Sequence, residues 1–301
     1  MSQQALLSDE TRRRIEGLAM QARRLRLGAQ KGERRSLRRG TSLEFADYRE
    51  YSPGDDLRQL DWNVYARQQR PMVKIREDED DLAVHLLLDR STSMALAQAD
   101  EDRPEAGQAK WRAALAFAAA LGYVSLGTGD RLALHSLGAP TAHFVGRGRR
   151  QLSGFLRALD ALRPDSPVGL AEGLRTFALR ERRRGLVWLI SDLYADPPPW
   201  DELNALLAQG HELVIIHWLS PSEHRPVLHG ELRLLDGETG QARDMTLDAA
   251  LLAAYQRQLH AWSEAWRQGA ARRGAAYLLA DSATPTASLL LVDLRRLSLL
   301  R

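Results

Sequence analysis

The stretch "LAVHLLLDRSTSMAL", residues 82–96, decides how this chain is read. Leu82 to Leu88 form an apolar run of strand length, interrupted only by His85, and the run ends abruptly at Asp89. Continuous rather than alternating hydrophobicity is what a parallel strand covered on both faces requires. Ser91, Thr92 and Ser93 then crowd in behind the aspartate. Alternate residues of an extended segment point the same way, so Asp89, Ser91 and Ser93 can turn three oxygens toward one point.

Further along the chain the pattern repeats. "GLVWLISDLY" (185–194) is a second buried strand that surfaces in Ser191 and Asp192. "GDRLALHSLG" (129–138), "HELVIIHWLS" (211–220) and "AAYLLA" (275–280) read as further strands, and "TAHFVG" (141–146) as a shorter one. Helical spacing marks 110–127, 149–163, 169–184, a segment opened by Pro197–Pro199, a long stretch over about 248–273, and a closing helix over 286–297. "GELRLLDGETGQARDMTL" (230–247) has the form of a hairpin turning at "DGETG". Strands alternating with helices of this length specify an α/β fold with a doubly wound, mostly parallel sheet of Rossmann type. Ligands of such sheets bind beyond the carboxyl ends of the strands, where Asp89 and Asp192 sit.

Upstream of residue 81 the pattern is irregular. Ser8 can cap a helix carrying Ile15, Leu18, Ala22 and Leu25 on one face, with Gly28 ending it. Loop follows, then an aromatic and charged segment that turns at "SPGDD" and returns as a strand near Met72–Arg76. We therefore expect an N-terminal helical and irregular extension, 1–80, and an α/β domain, 81–301.

Composition removes several classes of function. With no cysteine there is no disulfide framework, thiolate metal site or cysteine nucleophile. No window approaches 18 consecutive apolar residues, and the start lacks the order of a secretory signal, so the expected location is cytoplasmic. A net charge of +3 on 301 residues is slight. Residues 1–40 nevertheless hold eleven Lys and Arg against four acids, which keeps nucleic-acid binding through Arg12–Arg39 as a lesser alternative. Phosphate-loop, dinucleotide and nucleophile-elbow motifs are all missing. The histidines show no metal-ligand spacing, and His85 and His217, inside apolar runs, read as core residues. Only Lys31, Lys74 and Lys110 are lysines, a bias toward arginine with no evident mechanism.

Asp89, Ser91, Ser93 and Asp192 together offer an all-oxygen donor set suited to Mg²⁺ or Mn²⁺. Mostly neutral ligands leave such an ion electrophilic, with a position open for a carboxylate of another molecule. The competing explanation is that the two serines cap the next helix.

"DRSTS" after one buried strand and "SDLYAD" after another resemble the metal-ion-dependent adhesion site of von Willebrand factor A domains. The upstream run "RRGTSLEFADYREYSPGDDLRQLDWNVYAR" resembles the DUF58 family more specifically. The resemblance implies a von Willebrand A-like fold and a non-enzymatic, metal-dependent protein-binding surface, with a MoxR-type AAA+ ATPase as partner and an adaptor or co-chaperone role. Carried over, Ser91 and Ser93 would bind metal directly, and Asp89 and Asp192 directly or through water. One position departs from the family pattern: Val168 stands where a Thr ligand is expected, which leaves Ser166 or Asp165 as substitutes. Arg49, Asp55, Asp56, Arg58, Asp61 and Trp62 lie in the family-like run and are expected either to dock a partner or to form an ion-paired collar. A metal-dependent phosphatase is the alternative at the same site, although its second acid, two residues after Asp89, is here Ser91.

Overall fold

The structure, a computed structural model, describes residues 6–22, 48–51, 62–68, 70–74, 82–95, 109–226, 230–235 and 242–301. It separates into two compact units, Leu27–Asp81 and a larger one made of Met1–Arg26 with Leu82–Arg301. In the smaller unit, β1 (Tyr48–Glu50) pairs antiparallel with β2 (Met72–Lys74), the strand expected there, and α2 spans Trp62–Gln68. Arg49 stands opposite Val73 in that ladder. Trp62 is 63% exposed and meets Tyr65 edge-on, so it fills no groove within its own unit. Asp55, Asp56, Arg58 and Asp61 lie outside the described residues.

The larger unit is a six-stranded, mostly parallel sheet flanked by helices, the α/β fold the sequence specifies. Its strands are β3 (Ala83–Leu88), β4 (Arg131–Ser136), β5 (Phe144–Arg147), β6 (Leu186–Ser191), β7 (Glu212–Leu219) and β10 (Ala276–Asp281), in the order β10-β7-β6-β3-β4-β5. Only β5 runs antiparallel to its neighbour. The chain thus lays down β3, β4 and β5 in one direction, then returns to place β6, β7 and β10 on the other side of β3. The switch point falls between β3 and β6, where α/β sheets open a crevice beyond the strand ends.

Burial follows from strand alternation. Val84, Leu86, Leu88, Trp188, Ile190 and Trp218 join one core, while Leu87, Val187, Leu189 and Ile215 join a second on the opposite face. Against the first face lie α3 (Ala109–Thr128) and α4 (Leu152–Asp160); α5 (Leu170–Arg180), α6 (Trp200–Ala208) and α7 (Ala249–Arg272) supply the second. α3 is buried nearly all round, and its alanines and Gly122 permit the approach: a Cβ on Gly122 would stand 2.1 Å from the Phe155 ring. β8 (Gly230–Leu235) and β9 (Ala242–Leu247) form the expected antiparallel hairpin. The closing segment is a short turn, Thr286–Ser288, continuing as a π-helical stretch to Leu294.

Two expectations about the N-terminus need correcting. α1 (Asp9–Ile15) is capped by Ser8 but stops after about two turns, because Gly17 adopts a positive φ of 85° that breaks the helix. Residues 1–26 also belong with the α/β unit rather than with a separate extension ending at residue 80. Their apolar side chains explain this: Leu7, Ile15, Leu18 and Met20 are buried in the first core, and Met20 forms an antiparallel bridge with Leu300 near the chain's end. Ile15→Ala should therefore lower unfolding free energy by about 2–4 kcal/mol in urea denaturation. An unchanged midpoint would show that the segment is detachable.

Candidate functional site

The site begins with Asp89, which emerges from β3 and is 4% exposed. Its Oδ1 accepts the Ser91 backbone N–H at 2.9 Å, a local turn that bends the chain out of the strand. Its Oδ2 accepts the Ser191 hydroxyl at 2.6 Å across the switch point. The Ser191 oxygen accepts in turn from the Leu193 N–H at 2.9 Å. Leu193, with φ 61° and fully buried, turns the chain immediately beyond Asp192.

Ser91 Oγ and Ser93 Oγ lie 2.8 Å apart. The short 3₁₀ turn Thr92–Met94 that follows Ser91 has no side-chain cap. Among the described residues, helix capping therefore does not account for these hydroxyls. Burial, and then the charge of Asp192, push the Asp89 carboxyl above the ordinary carboxylate range. The two aspartates, taken from separate strand ends, are thus close enough to repel.

The sequence reading missed the cation that sits among them. Lys110, in the first turn of α3, has a wholly buried side chain. Its Nζ donates to Asp192 Oδ2 at 2.9 Å, to Glu223 Oε1 at 2.7 Å and to the Ser93 carbonyl at 3.2 Å. Glu223 is fixed from behind by a capping box: its Oε2 accepts from the Ser220 N–H at 2.6 Å and the Ser220 hydroxyl at 2.7 Å. The Tyr194 hydroxyl donates to Glu223 Oε1 at 3.1 Å, and burial followed by that carboxylate raises the phenol's pKa. Tyr194 also stacks flat on Trp262. A lysine on the most apolar helix of an arginine-rich chain was the available signal. Arginine's broad fork would not fit the place of a compact ammonium with three donors and three acceptors.

The loop before α5 holds Val168, Ser166 and Asp165, the residues at and beside the place where a threonine ligand was expected. Val168 packs against Gly138, where a Cβ would come within 2.6 Å of it. Ser166 Oγ accepts from the Val168 N–H at 3.3 Å, and the Ser166 N–H donates to the Arg90 carbonyl at 2.8 Å. Asp165 is paired with Arg90. The described contacts of both substitutes are with this supporting loop rather than with Asp89, Ser91, Ser93 or Asp192.

The donor chemistry fits a hard cation at four residues, Asp89, Ser91, Ser93 and Asp192, with the Lys110 ammonium competing for the last. The class defined by fold and site is an α/β domain with an oxygen-lined rim at its topological switch point. Residues 47–265 match the family model described as "Protein of unknown function DUF58", and the chain belongs to that family.

An uncharacterized protein of Mycobacterium tuberculosis, Rv1480, is 32% identical over 230 residues, covering 74% of this chain and 70% of its own length. Another, from Mycobacterium avium, is 38% identical over 108 residues, covering 35% of this chain and 63% of its own. Among solved structures, BatB of Bacteroides thetaiotaomicron aligns with a TM-score of 0.41 at 12% identity, covering 72% of this chain and 98% of its own. An aerotolerance-related membrane protein of Bacteroides fragilis aligns with a TM-score of 0.39 at 13% identity, covering 69% and 96%. In this chain no described helix is long and apolar enough to cross a membrane.

Two outcomes follow from this charge arrangement. Lys110→Met strands the buried Asp192 and part-buried Glu223 carboxylates and should cost about 3–5 kcal/mol by chemical denaturation, with part recovered on adding Asp192→Asn. For Asp89, a raised folded pKa means that its ionised form opposes folding. This penalty is absent below the unfolded value of 3.8 and grows as pH rises toward the folded pKa. In chelator, Asp89→Asn should therefore equal or exceed wild-type stability at pH near 7 and lose that advantage near pH 4. A variant less stable than wild type at neutral pH would contradict this account.

Proposed function

We propose that the chain is a non-enzymatic protein-interaction module of von Willebrand A-like type. Its rim site would hold Mg²⁺ or Mn²⁺ through Asp89, Ser91, Ser93 and Asp192 and offer the ion to a Glu or Asp of a protein partner. A MoxR-type AAA+ ATPase is the proposed partner, with this chain acting as adaptor or co-chaperone in the cytoplasm. The observation that carries the reading is the convergence of Asp89, Ser91 and Ser191–Asp192 from two strand ends on one buried, negatively charged spot.

The chain's own residues divide the work. Ser191 and the Ser91 N–H hold Asp89 in one orientation, the Ser91–Ser93 pair presents neutral oxygens, and Lys110 places one positive charge between Asp192 and Glu223. When bound, the cation supplies an electrophilic position that a partner's carboxylate can fill. Lys110 favours a second reading, in which the tethered ammonium is the resident cation and partner binding needs no metal. A hydrolase gains little from this geometry, because Ser91 and not an acid follows Asp89 by two. The Arg-rich segment behind the nucleic-acid alternative lies largely outside the described residues.

Adding Mg²⁺ or Mn²⁺ to chelator-treated protein should raise its Tm, and Asp89→Ala should abolish the rise. A wild type indifferent to both ions ends the metal claim and leaves the Lys110 reading. A pull-down from the native host that recovers an AAA+ ATPase with metal but not with chelator, and not with Asp89→Ala, would identify the partner class.

A further inference from the structure

On the α5 face of the sheet lies a second polar cluster, unrelated to the rim. His85 of β3 and His135 of β4 are both buried, and Glu181 caps the carboxyl end of α5. His85 Nδ1 and His135 Nε2 are 3.4 Å apart, and each is 3.7 Å from the same oxygen, Glu181 Oε2. A triangle with these sides has a centre about 2.1 Å from every corner, which matches Zn–N and Zn–O bonds of roughly 2.0–2.2 Å.

The hydrogen bonds around the triangle fix its chemistry. His85 Nε2 lies 3.0 Å from the Arg183 carbonyl, which can only accept, so Nε2 carries the proton and Nδ1 turns a bare lone pair toward the other two atoms. An imidazole that donates its second N–H to a backbone carbonyl is the usual arrangement behind a metal-bound histidine. Burial first, and then neighbouring histidines, lower the pKa of His85 to about 3 and of His135 to about 4. Two acceptors, His85 Nδ1 and Glu181 Oε2, then face a single nitrogen with at most one proton.

A further imidazole, His211, stands beside the cluster. It is 4% exposed, its ring centre is 5.6 Å from that of His85, and neither ring nitrogen has a hydrogen-bond partner among the described residues. Burial lowers its pKa, an effect opposed by the nearby Gly185 and Glu181 backbones. Phe177 packs against all three imidazoles and walls the cluster from α5. Gly185 is required for the arrangement, since a Cβ there would fall 2.8 Å from the His85 ring. Glu181 and His135, at 22% and 11% side-chain exposure, leave a way in from solvent.

We propose that His85, His135 and Glu181 form a binding site for a borderline divalent cation, Zn²⁺ in first place. Two imidazoles and one carboxylate favour Zn²⁺ or Co²⁺ over Mg²⁺, the reverse of the all-oxygen rim. The two sites are therefore separable by metal and by mutation, and this one stands whether or not the rim binds an ion.

Chelator-treated full-length protein is titrated with Zn²⁺ by calorimetry and with Co²⁺ by visible absorption, in wild type, Glu181→Gln, His135→Gln and Asp89→Ala, each checked for folding by circular dichroism. The expected result is one tight equivalent with the absorption of low-symmetry Co²⁺, weakened roughly tenfold or more in Glu181→Gln and His135→Gln and kept in Asp89→Ala. Glu181 is partly exposed, so its variant remains informative should the buried His135 change unfold the chain. No tight equivalent, or one equally strong in folded Glu181→Gln, overturns the site and assigns any binding to surface histidines.

Discussion

A buried lysine holds the functional end of this molecule together. Asp89, Asp192 and Glu223 place carboxylates in one poorly solvated region, and the Lys110 ammonium touches two of them at 2.9 and 2.7 Å. Removing charges from water costs several kcal/mol each unless they are paired and hydrogen-bonded. Here every partner is itself anchored: Glu223 by its capping box, the Ser93 carbonyl by the turn, and Lys110 by a helix sealed against the sheet. Asp89 alone has only hydrogen bonds and no direct cation among its described contacts, and its carboxyl is correspondingly the one pushed upward.

Topology explains why these groups meet. β3 and β6 are neighbours because the chain reverses its direction of travel across the sheet between β5 and β6. Strand ends 102 residues apart in sequence are thereby joined by the Ser191–Asp89 hydrogen bond. β3, together with β4, also carries a second polar cluster on the α5 face, because side chains of β3 alternate: Leu86 and Leu88 enter one core while His85 and Leu87 face the other. One sheet thus presents an oxygen-rich rim and a nitrogen-rich interior cluster with different chemical preferences.

Local pattern was enough for the elements of the α/β unit. Apolar runs ending in Asp89 and Asp192 read directly as buried strands, since a strand covered on both faces must be apolar at every position. The paired strands of 230–247 and the long helix that follows were legible for equally local reasons, a turn sequence and helical spacing. α1 was overextended because its apolar spacing continues past Gly17, although Leu18 and Met20 reach the core without helical backbone. His217 is a core residue as its surroundings suggested, bonded to the Tyr277 hydroxyl at 2.6 Å. His85 is equally buried, yet its partners come from β4 and from the segment after α5 and share no spacing with it.

The sequence by itself determined the fold class and put Asp89, Ser91, Ser93 and Asp192 at strand ends, because hydrophobic periodicity and turn chemistry act over a few residues. Tertiary structure alone decided that Lys110 and Glu223 join Asp192, that Val168 and Ser166 turn to their own loop, and that His85, His135 and Glu181 converge. Those outcomes depend on strand order, helix packing and the balance of buried charge, all of which are set by parts of the chain distant in sequence.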